Sequence, residues 1–170
     1  YKKENHLYFF SLLACVIYLA IFSLIIWSFL IPFSNQNSVS LIFIILICIS
    51  TDIGGFTFGK LVGGKKLTQI SPNKTYSGVF GSFLLSIISG LIFLNYFGKG
   101  EIVDSEHLFV FSIILLISLI SQIGDLIISF FKRKAKLKNT GKILPGHGGL
   151  LDRIDGLVFV MPIIYLFGKI

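Results

Sequence analysis

Four aspartates stand where a carboxylate is hard to accommodate. Asp52, Asp125, Asp152 and Asp155 each fall within, or at one end of, a long apolar run. An ionised carboxyl in a hydrocarbon layer costs several kcal/mol unless it is paired, solvated or metal-bound. The other four acids, Glu4, Glu101, Asp104 and Glu106, sit in polar segments and need no such account. Asp152 and Asp155 are three residues apart and therefore share a helix face. Ser121, Gln122, Asp125 and Ser129 form a polar stripe at i, i+1, i+4 and i+8 of another run. Clustered carboxylates with few imidazoles nearby suit a hard cation such as Mg²⁺, which takes oxygen ligands and commonly keeps substrate phosphates in its shell. For any one of these acids, a structural ion pair with a nearby Lys or Arg is the alternative.

Two segments beside the acids combine glycine with positive charge. The first runs Gly59-Lys60-Leu61-Val62-Gly63-Gly64-Lys65-Lys66 and on to Ser71-Pro72-Asn73-Lys74-Thr75. The second contains Lys132-Arg133-Lys134 and then Lys142-Ile143-Leu144-Pro145-Gly146-His147-Gly148-Gly149. Glycine lets backbone N–H groups approach an anion, and Lys or Arg supplies countercharge. Attraction of a polybasic loop to anionic lipid would use the same composition. Two apparent motifs fail on their chemistry. Gly54-x4-Gly59-Lys60 lacks the Ser or Thr of a P-loop, having Leu61 there. Asn73-Lys74-Thr75 has the pattern of a glycosylation acceptor but falls in a loop expected to face the cytoplasm.

The elements that must position these residues are membrane helices. The 170 residues are 54% hydrophobic and only 14% charged, with a mean hydropathy of +0.88; a soluble domain carries roughly 25% charged residues. A soluble globule and a disordered chain are both excluded. The expected fold is an all-α polytopic bundle of about five transmembrane helices: Leu7 to Leu30, Val39 to about Gly59, Tyr76 to Phe97, Leu108 to Phe131, and about Leu150 to Phe167. The last reaches full length only with Asp152, Arg153 and Asp155 at its entrance. Pro32 and the run Ser34 to Ser38 read as a turn. With the N-terminus inside, 13 of the 15 cations fall on the inner side and only Lys99 and Lys169 outside, which fixes the orientation by the positive-inside rule. The net charge of +7 therefore marks cytoplasmic loops, and no nucleic-acid partner is expected. Cys15 and Cys48 read as small buried hydrophobes.

Three stretches carry a family resemblance. Ser129-Phe130-Phe131-Lys132-Arg133, Lys138 and the run Leu144-Pro145-Gly146-His147-Gly148-Gly149-Leu150-Leu151-Asp152-Arg153-Ile154-Asp155 closely resemble the C-terminal signature of phosphatidate cytidylyltransferases. Ser50-Thr51-Asp52-Ile53-Gly54-Gly55, leading through Gly59-Lys60 to Ser71-Pro72-Asn73-Lys74-Thr75 and Gly78, is similar to the same family. So is Ser121-Gln122-Ile123-Gly124-Asp125-Leu126. The resemblance covers about Ile49 to the C-terminus. Asn139 replaces the usual acid after Lys138, and Tyr76-Ser77-Gly78 stands where the family tends to have Trp-Glu-Gly.

The resemblance implies transfer of a cytidylyl group from CTP to phosphatidate in the inner membrane, with the active site facing the cytoplasm. It implies one membrane-embedded catalytic domain over residues 1–170, lacking N-terminal helices usual in the family. Asp125 and Asp152 are the implied Mg²⁺ ligands, Asp155 a third ligand or an orienting group, and a second cation is allowed for. Lys60, Lys74, Thr75, Lys132, Arg133 and His147 are the candidates for substrate phosphate, and Lys74, Arg133 and His147 join Asp125 and Asp152 as the catalytic set. Asp52 stays open between metal, ribose and an ion pair with Lys60; Arg153 between the acids could equally be an internal ion-pair partner. Membrane lipids are expected partners and a homodimer is allowed for. Two other readings remain at this point: a CTP-dependent lipid-alcohol kinase, and a cation-coupled transporter with acids in its helices.

Overall fold

The structure, a computed structural model, describes residues 2–30, 35–68, 71, 74–97, 107–137 and 151–166, with side chains described in these except 2–12, 35–38, 107 and 151–153. It contains five helices and, among the described residues, no β-strand: α1 (Lys2–Leu30), α2 (Asn35–Leu61), α3 (Tyr76–Phe97), α4 (His107–Lys134) and α5 (Leu151–Leu166). Four of them carry segments long and apolar enough to cross a membrane: Leu13–Leu30, Val39–Leu61, Tyr76–Phe97 and Leu108–Lys134. At 1.5 Å per residue, the 16 residues of α5 span about 24 Å against a hydrocarbon core of about 30 Å. The protein is an all-α integral membrane bundle, as the composition required. Two details differ from expectation. Asn35 to Ser38 form the first turn of α2 and not a loop, because polar residues are well tolerated at a helix start, where backbone N–H groups lack partners. Cys15 is exposed on α1, while Cys48 is buried as expected.

The helices change character along their length. On α2 the buried series Ile44, Ile47 and Cys48 gives way to Thr51; on α4 Ile114 and Ile117 give way to Ser118 and Ser121. Val160, Met161 and Ile164 of α5 complete the apolar core. Beyond it lies a layer of hydroxyls. Thr51 Oγ1 lies 3.0 Å from Ser118 Oγ, Ser82 Oγ donates to the Thr51 carbonyl at 2.7 Å, and Gln122 Nε2 reaches Ser118 Oγ at 3.4 Å. These bonds matter because lipid offers a buried polar group no substitute partner. Still further along come Asp52, Asp125 and the lysines, so one end of the bundle is polar by construction.

Glycines bring α2 and α3 together at backbone distance. A Cβ on Gly54 would collide with the carbonyl oxygen of Gly81 and stand 2.9 Å from Ser82 Cα; one on Gly78 would stand 2.7 Å from the Gly55 carbonyl oxygen. Close approach of small residues is how helices associate where no hydrophobic force separates them from lipid. Since the obstruction at Gly54 is backbone, it cannot turn aside. Gly54→Ala should therefore destabilise the bundle by about 1–3 kcal/mol, seen as a lower melting temperature in detergent.

Pro162 lies inside α5 and has no N–H for the carbonyl four residues earlier, that of Val158. Tyr18 of α1 supplies the missing donor: its hydroxyl lies 2.9 Å from Val158 O. The proline's defect thus becomes the contact that ties α1 to α5. Tyr18→Phe should cost about 0.6–1.7 kcal/mol, the range of interhelical hydrogen bonds in membranes, and detergent melting would measure it. An unchanged melting temperature would mean that the carbonyl finds another partner.

Candidate functional site

The polar end is built from a short loop and four helices, α2 to α5. Gly63 and Gly64 take φ values of 64° and 108°, backbone that only glycine adopts without strain, and turn the chain back after α2. Residues 65–67 then pair with 74–76: Leu67 N donates to Lys74 O at 2.7 Å and Tyr76 N to Lys65 O at 3.2 Å, around an antiparallel bridge between Lys66 and Thr75. Thr75 caps α3, its Oγ1 accepting from Gly78 N at 3.1 Å, a common N-cap geometry. Ser77 Oγ donates to Gly63 O and fastens the turn to the helix. The paired residues 65–67 and 74–76 therefore form a fixed bracket, and Lys74 is the residue it holds over the end of the bundle.

The ammonium of Lys74 forms an ion pair with Asp125 Oδ2 of α4. Asp125 and Asp155, from antiparallel helices, meet within hydrogen-bonding reach of each other. Asp155 Oδ2 lies 3.9 Å from Lys132 Nζ, and Asp155 Oδ1 accepts from Gly156 N at 3.0 Å. Ser129 Oγ stands 3.5 Å from Asp125 Oδ1. The charges thus run ammonium, carboxylate, carboxylate, ammonium. Two like charges side by side are unfavourable at low dielectric, and the flanking lysines offset that repulsion.

A cavity of about 520 Å³ opens on this group, lined by Asp52, Lys74, Thr75, Gln122, Asp125 and Asp155 together with Thr51, Ser71 and Ser82. Its size is ordinary for a small-molecule site. Ile53, Phe56 and Val79 form an apolar flank of the same space, and Ile53 and Phe56 are exposed on the outer face of α2. One cavity thus touches both charge and lipid-facing surface.

Of the residues singled out in the sequence, Asp52, Lys74, Thr75, Asp125 and Asp155 line the cavity, and Lys132 reaches it through Asp155. Lys60 and Arg133 are not among the lining residues. Lys60 Nζ lies 5.7 Å from the centre of the Phe56 ring, and Arg133 is exposed at the end of α4. Lys60 also stands two helical turns, about 12 Å, beyond Asp52. Asp152 and Arg153 belong to the first turn of α5, but their side chains, like His147 and Asn139, lie outside the described residues. Thr51, Ser82 and Ser118 were not singled out; the signal was a hydroxyl at mid-span, where a polar side chain needs a partner.

The donor set fits a hard cation. Two facing carboxylates present more oxygens than two ammonium groups use, and Mg²⁺ typically takes one or two carboxylates plus substrate phosphates. Among the described residues no three His, Cys, Asp or Glu side chains form a complete cage.

The chain is 40% identical to a phosphatidate cytidylyltransferase of Brucella suis over 136 residues, 77% of this chain and 47% of that protein. It is 41% identical to the one from Staphylococcus epidermidis over 128 residues, 73% and 46% of the two chains. For Bacillus subtilis the figures are 37% over 144 residues, 81% and 51%. The chain spans about half the length of the curated relatives it matches. The sequence profile of the cytidylyltransferase family matches residues 2–170, α1 through α5 together with the loop that carries Lys74, and by that match the chain belongs to the cytidylyltransferase family.

Proposed function

We propose that the protein transfers a cytidylyl group from CTP to phosphatidate, giving CDP-diacylglycerol and pyrophosphate. The observation that carries this reading is the charged group Lys74–Asp125–Asp155–Lys132 in a cavity that also has an apolar, lipid-facing flank. In this reaction an oxygen of the lipid phosphate forms a bond to the α-phosphorus of CTP while the bond to the bridging oxygen breaks, and pyrophosphate leaves with that electron pair. The attacking oxygen is already anionic at neutral pH, so no general base is needed. What must be overcome is repulsion between a phosphate dianion and a triphosphate. Catalysis therefore reduces to positioning and charge neutralisation.

Lys74 and Lys132 supply fixed positive charge, and the pairing of residues 65–67 with 74–76 holds Lys74 in place before substrate arrives. Asp125 and Asp155, with Asp152 from the same helix start, would hold Mg²⁺, which when bound neutralises the triphosphate and the leaving pyrophosphate. Arg133 and His147 are assigned to substrate phosphate on the family resemblance. Asp52, on α2, faces the same cavity as Asp125, which favours a substrate or metal role over pairing with Lys60. The acyl chains remain in the bilayer beside Ile53 and Phe56, since extracting them would cost about 0.8 kcal/mol per CH₂. The cation-rich end, holding Lys60, Lys65, Lys66, Lys74, Lys132 and Arg133, faces the cytoplasm of the inner membrane by the positive-inside rule.

The test uses the full-length protein in detergent with phosphatidate, Mg²⁺ and CTP labelled separately at the α and γ phosphates. Magnesium-dependent α-label in lipid, with γ-label released as pyrophosphate, is the expected result. γ-Label in a lipid alcohol would establish a kinase instead, and transfer of neither label would reopen ion transport.

A further inference from the structure

Each facing carboxylate has a glycine beside it in the chain, and both glycines sit in the contact between the two helices. On α4 the pair is Gly124-Asp125; on α5 it is Asp155-Gly156. A Cβ built on Gly156 would collide with Ser121 Oγ and would stand 3.2 Å from the Ser121 carbonyl oxygen and 3.3 Å from its Cβ. A Cβ on Gly124 would meet the Phe159 ring at 2.8 Å. Ser121 lies one turn before Asp125, so its contact with Gly156 is one turn of helix away from the meeting of the two carboxyls.

We infer that Gly156, seated on Ser121, is a positioning residue that sets the separation of the Asp125 and Asp155 carboxylates. Its catalytic importance rests on the cytidylyl-transfer reading above. The two glycine contacts differ in what opposes an added methyl group. At Gly124 the obstruction is the Phe159 side chain, whose ring can swing while its Cβ, at 3.0 Å, has to give by only a few tenths of an ångström. At Gly156 it is first the buried Ser121 hydroxyl, with Ser121 Cβ and the backbone carbonyl close behind it at 3.3 and 3.2 Å, so that an added methyl presses on that side chain and through it on α4. Displacing α5 displaces Asp155 with it, because the two residues are consecutive and the Gly156 N–H is bonded to the Asp155 carboxylate. Ser121 Oγ is buried and has no hydrogen-bond partner among the described residues. That hydroxyl contributes volume at this contact, so removing it gives room beside Gly156. Mg²⁺ requires near-ideal octahedral geometry, and a misplacement of about 1 Å can lower turnover about 100-fold.

The experiment compares the full-length protein with Gly156→Ala, Gly124→Ala, Ser121→Gly and Ser121→Gly/Gly156→Ala. Mn²⁺ binding is followed by electron paramagnetic resonance, turnover with CTP and phosphatidate, and melting in detergent. Gly156→Ala is expected to weaken Mn²⁺ binding and lower kcat by about 10–100-fold, with a smaller effect for Gly124→Ala. The double variant should recover most of both losses relative to Ser121→Gly. A purely structural role would lower the melting temperature without changing Mn²⁺ affinity, and that result overturns the inference. So does a loss that Ser121→Gly fails to relieve. Turnover lost and regained in step, without Mn²⁺ binding in the wild type, would remove the metal assignment and keep the positioning role. Mn²⁺ binding lost and regained without any cytidylyl transfer would remove the proposed reaction and keep it too. If Gly156→Ala alone fails to fold, Gly156→Val on the Ser121→Gly background provides the graded comparison, with weaker Mn²⁺ binding than the alanine double variant expected and equal binding overturning the inference.

Discussion

Asp125→Asn is expected to reduce cytidylyl transfer by at least about 10²–10³-fold, the usual consequence of deleting one electrostatic stabiliser of a developing charge. The chain should still fold and insert. Asparagine keeps the shape of the side chain, and the substitution removes the like-charge contact with Asp155 at the same time as the ion pair with Lys74. Those two losses oppose each other. The Lys74 side chain is also 26% exposed, so its ammonium keeps access to water. Melting in detergent should consequently stay within a few degrees of wild type while α-labelled lipid product disappears. Near-normal turnover would dismiss Asp125 from the site.

Lys74→Met removes a charge and keeps most of the length. Lys74 stands between the bracket loop and Asp125, so its loss leaves two adjoining carboxylates balanced mainly by Lys132 at 3.9 Å. The expected result is a fall of about 10²-fold or more in kcat/KM for CTP, with Lys74→Arg retaining more. The effect on stability is more diagnostic. In wild type the ammonium already offsets the carboxylate repulsion, whereas in Lys74→Met a divalent cation would have to do so. Added Mg²⁺ should then raise the melting temperature of Lys74→Met by more than it raises that of wild type. Equal Mg²⁺ shifts in the two proteins would show that Lys74 and the cation do not share Asp125.

The helices were legible because the bilayer leaves few choices: apolar runs of the required length become spans, and their limits agree with the sequence to within a few residues. Asp125 and Asp155 were legible as well, because a carboxylate in such a run needs a reason. What could not be read was which partner each acid takes. The Lys74–Asp125 pair joins residues on different elements, and it depends on the turn at Gly63 and Gly64 and on the Thr75 cap, none of which leaves a periodic signal. The phosphate role expected of Thr75 shows the same gap, since a hydroxyl before a helix can bind a ligand or cap the helix, and here it caps while lining the cavity. Gly124 and Gly156 were invisible for a related reason. A glycine within a helix has no sequence feature that tells a close helix contact from an incidental gap; only the facing helix shows it.

The glycine contact between α2 and α3 also has a consequence for how the molecule is made. These two helices and the loop between them are consecutive in the chain and interlock at backbone distance, so the hairpin can assemble in the membrane as soon as α3 has been synthesised. At about 5–20 residues per second, Asp125 leaves the ribosome several seconds after Lys74. Most of the cavity wall, with its cation held by the bracket, is thus in place before α4 and α5 arrive. An incoming helix bearing a lone carboxylate would otherwise have to enter lipid uncompensated; here it meets a waiting ammonium, and order of synthesis becomes part of how the buried charges are accommodated.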